Sequence, residues 1–168
     1  MGDIGRCELI YGELVMMSPA GFTHGEVASR IGRLIGNFVE DNDLGVTLGA
    51  ETGYILARNP DLVRAPDVSV VQKGRLPGGP LNKFFPGAPD LTVEVVSPDD
   101  TMREVSDKAD LWVAHGAISA WVVDPDSQTV TIHRRGMQPI NLGIPDDLRD
   151  DPAIPGFVLA VSKIFRRP

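Results

Sequence analysis

Two hydrophobic periods alternate along the chain. Val27, Ile31, Leu34, Ile35, Phe38 and Val39 recur at steps of three and four, which predicts one helix with one buried face. Thr23 and Glu26 stand before it at capping-box spacing, and Asn42-Asp43-Leu44-Gly45 ends it. A second helix is predicted over Met102–Ala114. Thr101 and Glu104 have the same capping spacing, and Met102, Val105, Ala109, Trp112 and Val113 form the apolar stripe. Elsewhere the pattern shortens to runs of strand type. One pair, 8–10 and 13–17, turns at Tyr11-Gly12. A second, 53–56 and 62–71, turns at 58–61. A third, 120–123 and 129–133, turns at 124–127. Residues 91–96 and 157–161 complete the set. Residues 74–87, rich in Pro and Gly, read as a long loop whose Phe84 and Phe85 pack down as ordinary core. The strand at 91–96, the second helix and the strand from Ala120 make one β-α-β unit. That predicts an α/β fold with a partly parallel, mixed sheet.

Length and composition narrow the class. A chain of 168 residues with ordinary apolar content is expected to form one domain over residues 1–168. No run approaches the roughly 18 apolar residues of a membrane span. The opening MGDIGRCELIYGEL lacks the basic-then-apolar order of a signal peptide, and the single Cys7 fits a reducing compartment, so a cytoplasmic protein is expected. The net charge of −7 opposes nonspecific attraction to a phosphate chain. Basic residues come in small groups: Lys73 with Arg75, Arg134 with Arg135, Arg166 with Arg167.

Against that background Glu94 is the anomaly. It sits in PDLTVEVVSP, where Leu91, Val93 and Val95 share one strand face and Thr92, Glu94 and Val96 the other. So continuous an apolar run predicts cover on both faces. A lone carboxylate there would cost several kcal/mol, so Glu94 needs a cationic partner or lines an opening where a cation binds. Arg64 is one structural partner for it. Asp67 opens the apolar run Val68-Ser69-Val70-Val71 in the same way, unless it merely caps a turn after Pro66. If the two strands are neighbours, the carboxylates face each other and a divalent cation relieves their repulsion. Oxygen ligands favour Mg²⁺ or Mn²⁺ over Zn²⁺, and His24, His115 and His133 show no zinc spacing. Lys108 lies at the edge of the second helix's stripe, within reach of the pair. Its spacing alone favours a surface ion pair with Glu104. If the hairpin around 59–60 holds its register, Glu51 falls opposite Asp67; otherwise it is a solvated strand residue. His24 reads as a partly buried histidine at the first helix.

GELVMMSP, THGEV, LVRAPDVSVV, PDLTVEVVSPDD, the Asp107-Lys108 pair and WVVDP, in that order, resemble the Uma-type endonucleases of the restriction-endonuclease-like PD-(D/E)XK superfamily. The resemblance implies a mixed β-sheet flanked by α-helices and a metal-dependent phosphodiester hydrolase. It places the first acid on Asp67 and the second on Glu94. The superfamily's lysine position, two residues on, holds Val96; the lysine is then Lys108, moved to the following helix. His24 and Glu51 match auxiliary polar positions. Position 112, where tyrosine is expected, holds Trp112, with an effect expected on packing only. Asp67, Glu94 and the Val95 carbonyl would hold Mg²⁺ or Mn²⁺, and Lys108 would orient water or offset phosphate charge. The implied partner is DNA, with RNA as the other phosphodiester, and twofold cutting of a duplex suits a homodimer. The alternative is a catalytically silent relative that acts as a binding or assembly module.

Overall fold

The periodicities resolve into two large sheets, a two-stranded sheet of Asp147–Leu148 and Leu159–Ala160, and two long helices in the computed structural model, which describes residues 7–166. Residues 1–6 of the opening segment and Arg167 of the Arg166-Arg167 pair lie outside the described residues. The first hairpin is β1 (Cys7–Ile10) and β2 (Glu13–Met16). Helix α1 (Phe22–Asp41) follows and buries Val27, Ile31, Ile35 and Val39. Next come β3 (Gly45–Gly49), β4 (Tyr54–Ala57), β5 (Leu62–Arg64), β6 (Val68–Gln72) and the two-residue β7 (Phe85–Pro86). Strand β8 (Leu91–Val95), α2 (Met102–Ala114) and β9 (Ser119–Asp124) form the expected β-α-β unit, with β8 and β9 parallel. The chain closes through β10 (Thr129–His133), β11 (Ile140–Leu142), β12 (Asp147–Leu148), β13 (Leu159–Ala160) and the short α3 (Ser162–Phe165).

The larger sheet runs β11-β10-β9-β8-β6-β3. Its mixed character comes from the parallel β8–β9 pair among antiparallel neighbours. Helix α1 packs on the face carrying Val68, Val70, Leu91, Val93 and Val95. Helix α2 packs on the opposite face, with Val71, Ala120 and Val122. Every residue of β8 is buried, as its unbroken apolar run demands. The second sheet, β2-β1-β5-β4-β7, stands beside the first.

Several expectations need correction. The run 62–71 is two strands, not one. It breaks at Ala65-Pro66-Asp67, where proline has no N–H to continue a ladder. Strand β5 stays in the smaller sheet while β6 joins the larger one. The sequence pattern also hides β3, whose three central residues are flanked by glycines. Gly45 has φ 156°, and a Cβ there would lie 2.1 Å from the Val71 carbonyl oxygen, so glycine is required where β3 meets β6. Helix α1 is capped at Gly21 with no side-chain cap, because the helix begins ahead of Thr23; Glu26 ion-pairs with Arg30 at 2.7 Å. Met102 is exposed although it belongs to the predicted stripe. In the loop, Phe85 packs edge-on to Tyr54 with ring centroids 5.8 Å apart, whereas Phe84 stays exposed. Among the described residues no helix is long and apolar enough to cross a membrane.

Helix α2 starts where its sequence predicts. Thr101 accepts from the Glu104 N–H, and the Glu104 side chain accepts from Thr101 in return. Thr101→Ala should therefore lower unfolding stability by about 1 kcal/mol in urea titrations, with little change in the slope.

Candidate active site

Glu94 projects from β8 toward α2 and is almost wholly buried, at 4% exposure. Two groups one helical turn apart meet it. The Trp112 indole N–H donates to Oε1 at 2.7 Å, and the Lys108 ammonium donates to Oε2 at 2.9 Å. The expected Lys108–Glu104 pair does not form, because the Glu104 carboxylate is turned back onto Thr101 in the capping box. Nor is Trp112 a packing residue alone: it is fully buried, stands edge-on to Tyr54 and hydrogen-bonds the anomalous glutamate.

Asp67 occupies the point where the chain changes sheets. The β6–β8 pairing ends at Val68 opposite Val93, which leaves the N–H of Val95 beyond the ladder. Asp67 Oδ2 takes that N–H at 2.8 Å and also lies 3.1 Å from His24 Nε2, near the start of α1. The side chain thus joins β8 to α1 rather than merely capping a turn. Among the described residues Oδ1 takes no hydrogen bond.

A further carboxylate, which the sequence reading passed over, completes the cluster. Glu8 of β1 is 5% exposed. Its Oε1 accepts the Ala65 N–H at 3.0 Å and its Oε2 the Arg64 guanidinium at 3.1 Å. Lys108 Nζ lies 3.7 Å from Oε1. Arg64, expected as a partner of Glu94, is thus a partner of Glu8. The clue was present in Cys7-Glu8-Leu9-Ile10, an acid inside an apolar strand just as in β8.

The remaining candidates lie elsewhere. The β4–β5 register reaches Tyr54 opposite Arg64 and does not extend to Glu51. Glu51 is exposed, with φ 73°, in the turn between β3 and β4. It lines a separate cavity with Arg58, Lys83 and Phe84. His133 pairs with Asp110 at 2.8 Å, and His115 contacts the Leu111 carbonyl. A cavity of about 540 Å³ between α1 and β3 opens onto His24 and Asp67. Its walls are small residues, including Gly25, Ala28, Gly32 and Gly49, which keep it open.

The electrostatics separate the two acids. Burial raises Glu94; Lys108 pulls it down and the Asp67 anion pushes it up again, so that it sits at about 7. Burial also works to raise Asp67, but the His24 contact, the Val95 N–H and Lys108 outweigh it and hold the carboxyl below its ordinary value. Burial disfavours the Lys108 cation, yet Glu94, Glu8 and Asp67 hold its pKa above the usual lysine value. One acid is therefore a settled anion, and the other changes charge near neutrality.

A divalent ion fits these donors. Both acids offer oxygen, Asp67 Oδ1 is open, and each Glu94 oxygen bonded once retains a lone pair. No cluster of three or more His, Cys, Asp or Glu suited to a metal occurs among the described residues. Mg²⁺ is commonly held by one or two carboxylates, with water and substrate phosphate completing the shell.

Comparison with known proteins places the chain in a family and beside a solved structure. The family model described as "Uma2: Putative restriction endonuclease" matches residues 1–162. Among solved structures, the chain is similar to a putative nuclease belonging to DUF820 from Anabaena variabilis. That match has a TM-score of 0.84 and 26% sequence identity, over 95% of this chain and 89% of the other. Among curated proteins there is no significant match.

The raised Glu94 pKa fixes a direction for stability against pH. The folded protein holds this proton up to about 7, the unfolded chain only to 4.5. The stabilisation is complete below the unfolded value, fades as pH climbs between the two and is gone above the folded one. Urea titrations of wild type and Glu94→Gln should show wild type losing a few kcal/mol relative to the variant across that window. A constant difference would mean that Glu94 titrates like an exposed carboxylate.

Proposed function

The chain belongs to the Uma2 family, and from that premise we propose that it is a divalent-metal-dependent endonuclease that hydrolyses DNA phosphodiester bonds. One observation carries the reading. Asp67, just before β6, and Glu94 of the adjacent β8 converge with Lys108 at a sheet junction, and a groove leads to Asp67. Asp67, Glu94 and the Val95 carbonyl would hold Mg²⁺ or Mn²⁺. When bound, such an ion offsets charge on the scissile phosphate and makes a hydroxide nucleophile available near neutral pH.

The chain's own residues do the rest. His24 and the Val95 N–H fix the orientation of Asp67, leaving Oδ1 toward the ligand. Trp112 fixes Glu94 and excludes water behind it. Lys108 offers a cation for the attacking water or the developing charge on phosphate. The protein's net charge of −7 and its buried acids repel a phosphate chain, so the reading requires the cation for substrate binding as well as chemistry. Two copies related by a twofold axis would present one site to each strand of a duplex, and the same chemistry acts on RNA. A single domain in the cytoplasm is consistent with this role.

Calorimetric titration of Mn²⁺ tests the site without a guess about substrate. Wild type should bind, and Glu94→Gln should bind at least tenfold more weakly. With plasmid and single-stranded substrates, Lys108→Met should keep the metal but lose roughly 10²–10³-fold in cleavage rate. Wild-type levels of binding and cleavage in Glu94→Gln would remove the assignment, and no Mn²⁺ binding by wild type would favour a silent binding module.

A further inference from the structure

Lys108 has two anionic neighbours held in different ways. Glu94 grips it with a hydrogen bond of 2.9 Å. Glu8 waits at 3.7 Å, an ion-pair distance but too long for a good hydrogen bond. Glu8 cannot follow the lysine. It is fixed by the Ala65 N–H on one oxygen and by Arg64 on the other, and it is nearly buried. Arg64 and Ala65 immediately precede the Pro66-Asp67 junction, so Glu8 is tied to the segment that carries the first acid.

Consider the competition that the proposed metal site creates. A divalent ion on Glu94 and an ammonium on the same carboxylate repel each other. Without another anion, Lys108 must either block the ion or leave for solvent and lose its place at the site. A shift of roughly 1 Å would instead turn its contact with Glu8 into an ordinary hydrogen bond. We propose that Glu8 is a positioning residue, a fixed second anion that receives Lys108 when a divalent ion takes Glu94, and so keeps the ammonium charged and within reach of the reacting phosphate. This rests on the metal-dependent reading of Asp67 and Glu94. It adds a residue from β1, in the other sheet, to the machinery.

The test is a double-mutant cycle read by Mn²⁺ calorimetry, using wild type, Glu8→Gln, Lys108→Met and the double variant. Glutamine keeps one acceptor oxygen, for Ala65 or for Arg64 but not for both, and removes the charge. Glu8→Gln should weaken Mn²⁺ binding about tenfold, because Lys108 is then held by Glu94 alone and competes with the ion. In the Lys108→Met background the same change should cost less than twofold. Equal losses in both backgrounds would mean that Glu8 acts as a distant charge or as a structural prop, and no loss in either would mean that it does not act on the site; both overturn the proposal. If Glu8→Gln fails to fold, Glu8→Gln with Arg64→Gln, neutral on both sides, replaces it with the same expected outcomes. If wild type binds no Mn²⁺, the metal-dependent reading falls and this inference falls with it. Binding without the coupling removes the inference alone.

Discussion

A carboxylate buried in a strand covered on both faces is the constraint from which the centre of this molecule follows. Glu94 cannot remain at that depth without donors. Helix α2 supplies them at two positions one turn apart, Lys108 and Trp112. Bringing the ammonium of Lys108 inside creates a second demand for charge, met by Glu8 from the neighbouring sheet. Glu8 in turn draws in Arg64. The result is a chain of alternating charges, Glu94, Lys108, Glu8 and Arg64, that joins β8, α2, β1 and β5. Buried networks of this kind are high in cost when any member is missing, so each residue holds the others in place.

The placement of Asp67 depends on a backbone event rather than on side-chain packing. Pro66 stops the ladder, β5 and β6 part into different sheets, and Asp67 is left at the gap. The gap also strands the Val95 N–H, and the carboxylate satisfies it. One interruption thus supplies both an acid free of strand pairing on one side and a donor that fixes its orientation. His24, brought in by the first turn of α1, adds a third element to the junction.

These origins explain how much of the molecule was legible in its sequence. Helix α2, the β-α-β unit and the hairpin at β9–β10 rest on local signals: a capping box, a stripe of period 3.6, and a marked turn. Asp67 and Glu94 stood out because each breaks an apolar run. Glu8 breaks one too, but β1 is short and half-exposed, which weakens the contrast. The partners of Lys108 and Arg64 were not legible. Local spacing offered Glu104 to the lysine, but the capping box had already engaged it. Arg64 was one candidate partner for Glu94, but it pairs with Glu8 of β1 instead. Nor could spacing show that the indole N–H of Trp112 would point at Glu94. Strand β3 was hidden because its two flanking glycines look like breakers, although the contact with Val71 requires the one at Gly45.

Among the described residues the acids at the centre outnumber its lysine and arginine: Glu8, Asp67 and Glu94 face Arg64 and Lys108, and His24 adds a positive charge only when its ring is protonated. Acids crowded together at this depth favour the binding of a cation or a proton. Without a metal ion the proton is the available cation, and Glu94 is the group pushed up to about 7 to take it. Asp67 is the group kept ionised. In the proposed metal-dependent reading, the same crowding of acids would attract a divalent ion, and binding it would release the Glu94 proton. On that reading metal affinity and loss of stability near neutral pH have one origin, and removing the charge at Glu94 should relieve the second while weakening the first.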